Sequence, residues 1–308
     1  EGQLKYLIIG SPDFLVGDMF KSLSTKSTEF MFLDPSIRFD SAISKLGKTI
    51  TADTDNEYAI KTTFSSFKPD VVFYSSSPVL TPSKFYSPVH DYAHFMRSSI
   101  ALTQALDMYG TGRVYLASSY EVYGATGTTT ARKKISESDR PLPVSLRGAY
   151  LDAAENLFRI VCSSKSIGLT SLRYFEIVGP DATENPPGMI QGAVRSVLSG
   201  RTVVAAEETR KLDFISYDDA LVATKKIIKS GIVGPINVGT GYGTPVKKMF
   251  SQIKKMSGRK NSVVFHPNAT ASKFSAVADT SKLHKIFIPR KISIEDISAL
   301  FDFYKGDI

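Results

Sequence analysis

The stretch Leu4–Gly10, LKYLIIG, running straight into FLVGDMFKSLS (14–24), decides the fold class. The first part is a short continuous apolar run that ends on glycine, and the second carries apolar residues at helical spacing. A strand buried on both faces, turning through glycine into a helix, opens a βαβ unit. The alternation continues downstream. FMFLD (30–34), DVVFYSS (70–76) and RVYLASS (113–119) are further apolar runs of strand length, and HFMRSSIALTQALDMYG (94–110) is a helix closing on Gly110. Strands and helices in this order predict an α/β fold, a doubly wound parallel sheet covered on both faces, which binds ligands beyond the carboxyl ends of its strands.

Composition sets the bounds. The 308 residues are 42% apolar and 22% charged, ordinary globular usage that excludes wholesale disorder. The net charge of +8 is a mild excess that suits a phosphate-bearing ligand or a nucleic acid without requiring either. The single cysteine, Cys162, excludes an internal disulfide and a cysteine-rich zinc module, and it fits a reducing, cytoplasmic compartment. His90 and His94 have helical spacing, but HDYAH has no glutamate in the metalloprotease position, so they read as polar surface and no metal site is expected. No apolar run reaches membrane-spanning length. The chain opens directly into a strand, so no signal peptide is expected, while the Glu1 start leaves a removed leader open.

The second half changes character. A long helix, AYLDAAENLFRIVCSS (149–164), and a strand, LTSLRYF (169–175), precede the proline-rich loop GPDATENPPG (179–188). There the chain is expected to leave the main sheet for a smaller C-terminal lobe. IQGAVRSVLSG (190–200) is a helix, and helix and loop are expected to alternate to the end, with VKKMFSQIKKMSG (246–258) and ISIEDISALFDFYK (292–305) both helical. Lys247, Lys248, Lys254, Lys255, Arg259 and Lys260, with ARKK (131–134), could line a nucleic-acid patch. A solvated helix face accounts for them more simply, and nucleic acid is not expected as a partner.

Two groups of residues carry the chemistry. The first strand ends at Gly10, where a dinucleotide fold places its phosphate-binding turn at a helix N-terminus. The usual spacing is G-x-x-G-x-x-G, and here Asp13 and Val16 stand at the second and third positions, with Gly17 one residue late. Gly10, Ser11, Asp13, Phe14 and Leu15 are the candidates for this turn, and Ser75 for the end of a neighbouring strand. Asp34 closes the second strand, where a carboxylate accepts from an adenosine ribose and repels a 2′-phosphate, favouring NAD over NADP. Asp53 is placed to meet the adenine. Both aspartates are equally accounted for as strand-end turn residues. The second group is Ser118 and Ser119 at the end of RVYLASS, with Tyr150 opening the helix downstream. A serine and a tyrosine can share the oxygen of a substrate hydroxyl in carbonyl–alcohol redox chemistry, the tyrosine exchanging its proton while a nicotinamide takes hydride. A tyrosine with an ordinary pKa of about 10 needs a cation nearby to do so. The residue one helical turn on is Ala154, and Arg147 is the nearest replacement cation.

These segments resemble the extended short-chain dehydrogenase/reductase family, in particular its nucleotide-sugar epimerases, dehydratases and decarboxylases. KPDVVFYSSS, LASSYEVYG, SIGLTSLRYFEIVGP (166–180), LDFISYDDALVA (212–223), PINVGTGYGTPVKKMF (235–250) and VADTSKLHKIFIPRKISIEDIS (277–298) follow one another in the family's order. The resemblance implies a Rossmann lobe over 1–175, rejoined by 213–240, holding NAD. It implies a substrate lobe over 176–212 and 241–308 holding a nucleoside-diphosphate sugar, and transient oxidation of that sugar, most simply for epimerisation. Carried over, Ser119 polarises the substrate, Tyr150 is the acid/base, and Glu121 stands where dehydratases and decarboxylases of the family carry an active glutamate. Glu176, Arg210 and Lys273 are the candidates for the sugar nucleotide.

The departures from the family fall on the site. Ala154 replaces the lysine beside the nicotinamide ribose, Ser98 and Glu176 replace asparagines, Leu212 replaces an arginine, and Tyr120 replaces the aspartate of the dehydratases' acidic pair. A catalytically inactive Rossmann scaffold serving as a regulatory or assembly subunit is therefore the alternative to an epimerase. The family also often dimerises through a four-helix bundle, for which Phe95, Ile100, Leu106, Leu157, Ile160 and Val161 are the apolar candidates, and a homodimer is expected.

Overall fold

The computed structural model describes residues 3–10, 15–35, 44–75, 88–126, 134–180, 188–206, 210–266 and 274–306. The chain divides into two compact units: Glu1–Val122, Pro143–Arg173 and Thr224–Ile236 form the first, and Tyr123–Leu142, Tyr174–Ala223 and Asn237–Ile308 the second.

The first unit is built from β1 (Leu4–Ile9), α1 (Leu15–Leu23), β2 (Thr28–Leu33), β3 (Lys48–Ile50), α2 (Glu57–Phe67), β4 (Val71–Tyr74), α3 (Pro88–Tyr109), β5 (Arg113–Ser119), α4 (Leu146–Ser164) and β6 (Gly168–Tyr174). With β10 (Ile236–Val238) these strands form a seven-stranded sheet in the order β10-β6-β5-β4-β1-β2-β3. β1 pairs in parallel with both β2 and β4, and the strand order reverses between β1 and β4. The doubly wound sheet expected from the sequence is present, with its crevice at that reversal.

Strand alternation sends neighbouring aromatics to opposite faces of the sheet. Phe73 meets Phe20 of α1, which also touches Tyr6, Phe30 and Phe32. Tyr74, the next residue, stacks on Phe95 of α3 and Phe158 of α4. Helix α4 starts on Ser145, whose side chain accepts from the Gly148 N–H, and it buries Leu151, Ala154, Glu155, Phe158 and Cys162 at helical spacing. Of the residues named for a helical bundle, Phe95 and Leu106 lie in this core, whereas Ile100 and Ile160 are 46% and 60% exposed. The packing of α3 and α4 inside the monomer claims the first two.

The second unit contains β7 (Glu176–Val178), α5 (Met189–Leu198), β8 (Val203–Ala206), β9 (Lys211–Ser216), most of the first turns of α6 (Tyr217–Ser230), β11 (Gly243–Pro245), α7 (Val246–Ser257), β12 (Val263–His266) and α8 (Ile294–Lys305). Its strands form a three-stranded sheet, β11-β9-β7, and a parallel pair, β12-β8. The sequence reading placed only helix and loop after the proline-rich segment. VVAA, KLDFIS, GTP and VVFH are strands instead, too short to show a period of their own and fixed by tertiary pairing. Residues 181–187 of the proline-rich loop lie outside the described residues. In α7 the buried side chains are Val246, Met249, Phe250 and Ile253, and Lys248 and Lys255 are exposed, as in a solvated amphipathic helix.

Candidate active site

Of the candidate cofactor residues, Gly10, Asp34, Asp53 and Ser75 follow the carboxyl ends of strands in the first unit's sheet. Gly10 ends β1 with φ +110°, a conformation that side chains disfavour, and its N–H donates to the Leu33 carbonyl at 3.0 Å. Across the strand reversal, Ser75 is buried after β4 and its N–H donates to the Ile9 carbonyl at 2.8 Å. Ser11, Asp13 and Phe14 lie outside the described residues. Leu15 and Val16 open α1 as buried core. Asp34 follows β2, is buried, and takes the Ile50 carbonyl with its N–H at 3.2 Å. Asp53 is exposed beyond β3, its carbonyl accepting from Asn56, the N-cap of α2. Ser98, buried on α3, donates to the Thr54 carbonyl at 2.8 Å. His94 is not open surface: it is half-buried, with its ring 3.5 Å from the Thr54 hydroxyl and 3.8 Å from the Asp55 carboxylate that Arg97 also holds.

At the end of β5, two serines face different partners. Ser118 is buried and donates to Glu155 Oε1 at 2.5 Å. Ser119 accepts from the Glu121 N–H at 3.3 Å, which leaves its own proton for another acceptor. The Glu121 carboxylate accepts from Ser145 Oγ at 2.6 Å and forms an ion pair with Arg147. Gly148 makes this approach possible, because a side chain there would strike the Glu121 carbonyl. Tyr150 points elsewhere: its ring lies on Tyr92, centroids 5.0 Å apart and planes 16° from parallel. Among the described residues no hydrogen bond joins the Tyr150 hydroxyl to Ser119 or Glu121, and the α4 side chain that reaches Glu121 is Arg147. Ala154 is fully buried.

Sequence reasoning overlooked a buried ion pair behind these groups. Arg173 of β6 binds both oxygens of Glu155, with contacts of 2.6–3.2 Å, and both residues are buried. An arginine inside an apolar strand run such as LTSLRYF was the available signal, since a buried charge requires a partner.

In the second unit, Glu176 accepts from the Met189 N–H at 3.1 Å. Arg210 is half-buried and its carbonyl accepts from Val246 N–H, whereas Leu212 is core. Lys273 lies outside the described residues. The organising group here is Asp213, fully buried in β9. Its carboxylate accepts from Thr240 N–H and Oγ1, Gly241 N–H and Ala278 N–H at 2.6–3.2 Å. Burial pushes this carboxyl up, opposed by the hydrogen bonds from Thr240, Gly241 and Ala278. Among the described residues no group of three His, Cys, Asp or Glu is arranged to hold a metal, and no helix is long and apolar enough to cross a membrane.

The model of the NAD-dependent epimerase/dehydratase family matches residues 16–239. The chain belongs to that family. It is 20% identical over 319 aligned positions to UDP-glucose 4-epimerase of Lactobacillus helveticus, covering 96% of this chain and 95% of the relative. It is 23% identical to UDP-arabinose 4-epimerase 1 of Arabidopsis thaliana over 77% of this chain, spanning 61% of that longer relative. Two solved structures share the fold. UDP-glucose 4-epimerase of Thermotoga maritima with UDP-glucose has a TM-score of 0.83 at 18% identity, covering 98% of this chain and 99% of that one. The Thermus thermophilus UDP-glucose 4-epimerase with NAD has a TM-score of 0.82 at 21% identity, covering 99% and 100%.

Proposed function

We propose that this member of the epimerase/dehydratase family binds NAD on its first unit and a UDP-sugar on its second, and epimerises the sugar at a hydroxyl-bearing carbon. The observation that carries the cofactor half is Gly10 at φ +110° beside buried Asp34. Such a glycine allows close backbone approach to a pyrophosphate, and Asp34 accepts the ribose hydroxyls, so the residues present fit the dinucleotide. When bound, NAD accepts and returns a hydride.

The chain's own groups do the rest. Ser119 donates a hydrogen bond to the oxygen of the sugar hydroxyl, while one of its own lone pairs accepts from the Glu121 amide. In this reading the Tyr150 hydroxyl takes the proton of that substrate hydroxyl, although its ring rests on Tyr92 and Arg147, three residues earlier on the same helix, is paired with Glu121. Glu121 is held by Arg147 and Ser145. The test is turnover of UDP-glucose to UDP-galactose by purified protein, with bound NAD measured by mass. Tyr150→Phe should lower turnover by about 10²-fold or more, and unchanged turnover would remove Tyr150 from the mechanism.

A second reading has an observation of its own. Tyr150 stacks on Tyr92 and Arg147 is engaged by Glu121. That arrangement suits a scaffold that binds nucleotides without turning them over. NAD and UDP-glucose binding without product would establish it.

The same proposal includes a cytoplasmic homodimer. The exposed Ile100 and Ile160 on α3 and α4 support a second copy packing on these helices.

A further inference from the structure

The tip of β5 carries more hydrogen-bond donors than the described residues satisfy. The Arg147 guanidinium meets the Glu121 carboxylate through one of its three nitrogens, Nη2. Its Nε and Nη1 have no hydrogen-bond partner among the described residues. The Arg147 side chain is 24% exposed, against 61% for Arg97 in its pair with Asp55, so water compensates those two nitrogens less fully.

The neighbouring acceptors are already engaged. Glu121 Oε1 accepts from Arg147, and Oε2 accepts from Ser145 Oγ at 2.6 Å. Ser119 Oγ accepts from the Glu121 N–H at 3.3 Å and keeps its own proton to give. Tyr150 has its ring on Tyr92. A ligand group that carries lone pairs and no proton suits such a place better than a hydroxyl, which brings a proton that also needs an acceptor. A carboxylate is that group: it only accepts, at two oxygens. The planar guanidinium has five N–H donors, so one carboxylate on Nη2 leaves it able to hold a second.

We propose that Arg147 is a specificity-determining residue that selects a sugar nucleotide whose sugar carries a carboxylate, a hexuronic acid. Its unused N–H groups grip that carboxylate, while Glu121, anchored by Ser145, holds the guanidinium in place. The proposal rests on the UDP-sugar reading above and deepens it. In a hexuronic acid the carboxylate stands on the ring carbon next to C4, whose hydroxyl is the one inverted between glucose and galactose. Ser119 and Arg147 are likewise close neighbours, joined through the one residue Glu121. Ser119 therefore keeps its hydroxyl, and Arg147 takes the adjacent substituent.

Calorimetric titration of the full chain with UDP, UDP-glucose and UDP-glucuronic acid decides it. Wild type should bind UDP-glucuronic acid about tenfold or more tightly than UDP-glucose. Arg147→Met should erase that preference and leave the affinity for UDP unchanged. Because this variant strands the Glu121 charge, Arg147→Met/Glu121→Gln serves beside it: it removes both charges and keeps an acceptor for Ser145. The double variant should lose the preference in the same way, and it decides the matter where the single variant does not fold. Wild type that binds both sugar nucleotides equally, or UDP-glucose more tightly, overturns the role of Arg147 and leaves the UDP-sugar reading standing. So does a preference that survives in the variants. Loss of UDP binding in both variants marks a structural role for Arg147 and also overturns it. Wild type that binds none of the three ligands sinks the UDP-sugar reading and this proposal together.

Discussion

Arg173 clasps both carboxylate oxygens of Glu155, and Ser118 at the end of β5 donates to the same carboxylate. This ties β5, β6 and α4 together directly behind Ser119. The pair is buried, so either charge alone would be left without solvent or partner.

Arg173→Met should therefore destabilise the protein by about 3–5 kcal/mol, and the double variant Arg173→Met/Glu155→Leu should recover most of that loss. Urea unfolding of the three proteins checks it. Equal stability of the single and double variants would show that the two charges are not coupled.

Asp34 should set the choice of dinucleotide. Asp34→Ala removes a charged acceptor worth about 1.5–3 kcal/mol, roughly tenfold or more in NAD affinity, and relieves repulsion of a 2′-phosphate. The ratio of NAD to NADP dissociation constants, below one in wild type, should rise toward parity. An unchanged ratio would place the ribose away from β2.

Cys162 sits inside α4 against the sheet, and burial pushes its thiol up from the ordinary value of 9.0 to about 12. The folded state holds the proton that the unfolded chain releases. The stability this group contributes is present below the unfolded value and is lost as pH rises toward the folded one. Cys162→Ala should flatten the decline of stability between about pH 9 and 12. Native protein should also resist a thiol reagent at neutral pH until unfolded. Rapid labelling of the native protein would contradict the packing of α4.

At the start of α8, Ser293 and Asp296 form a capping box, and Arg290 holds the same carboxylate. Burial pushes the Asp296 carboxyl up, but the hydrogen bonds from Arg290 and Ser293 outweigh it and keep it below the usual range. A lowered carboxylate contributes stability above its unfolded value and loses it as pH falls through the folded one. Asp296→Ala should cost about 1 kcal/mol at neutral pH and progressively less in acid. Thermal unfolding at pH 7 and pH 3 measures the difference.

The proposed homodimer predicts that Ile100→Glu/Ile160→Glu dissociates it without lowering the melting temperature of the monomer, because both side chains are already exposed. Light scattering reads the mass. A monomeric wild type would refute the dimer.

Much of the fold was legible in LKYLIIG, DVVFYSS and RVYLASS, because a strand buried on both faces must be apolar throughout and a helix covering it must be apolar on one stripe. The short strands of the second unit were not legible, since three to six residues carry no period and are selected by their neighbours. At the site, Gly10 and Asp34 could be placed from sequence, because strand ends in this topology have fixed positions. The aim of side chains on α4 could not. Spacing named Tyr150, whereas the packing of Gly148 on the Glu121 carbonyl turns Arg147 toward the glutamate and lays Tyr150 on Tyr92.

By itself, then, the sequence determined the α/β class, the order of the first strands and the residues at their tips, all consequences of local apolar pattern. Tertiary structure alone decided which charges meet: Arg173 with Glu155, Arg147 with Glu121, Glu176 with the start of α5. Those pairings join residues 13–26 positions apart, and only the closed packing of sheet and helices brings such distant groups within hydrogen-bonding reach.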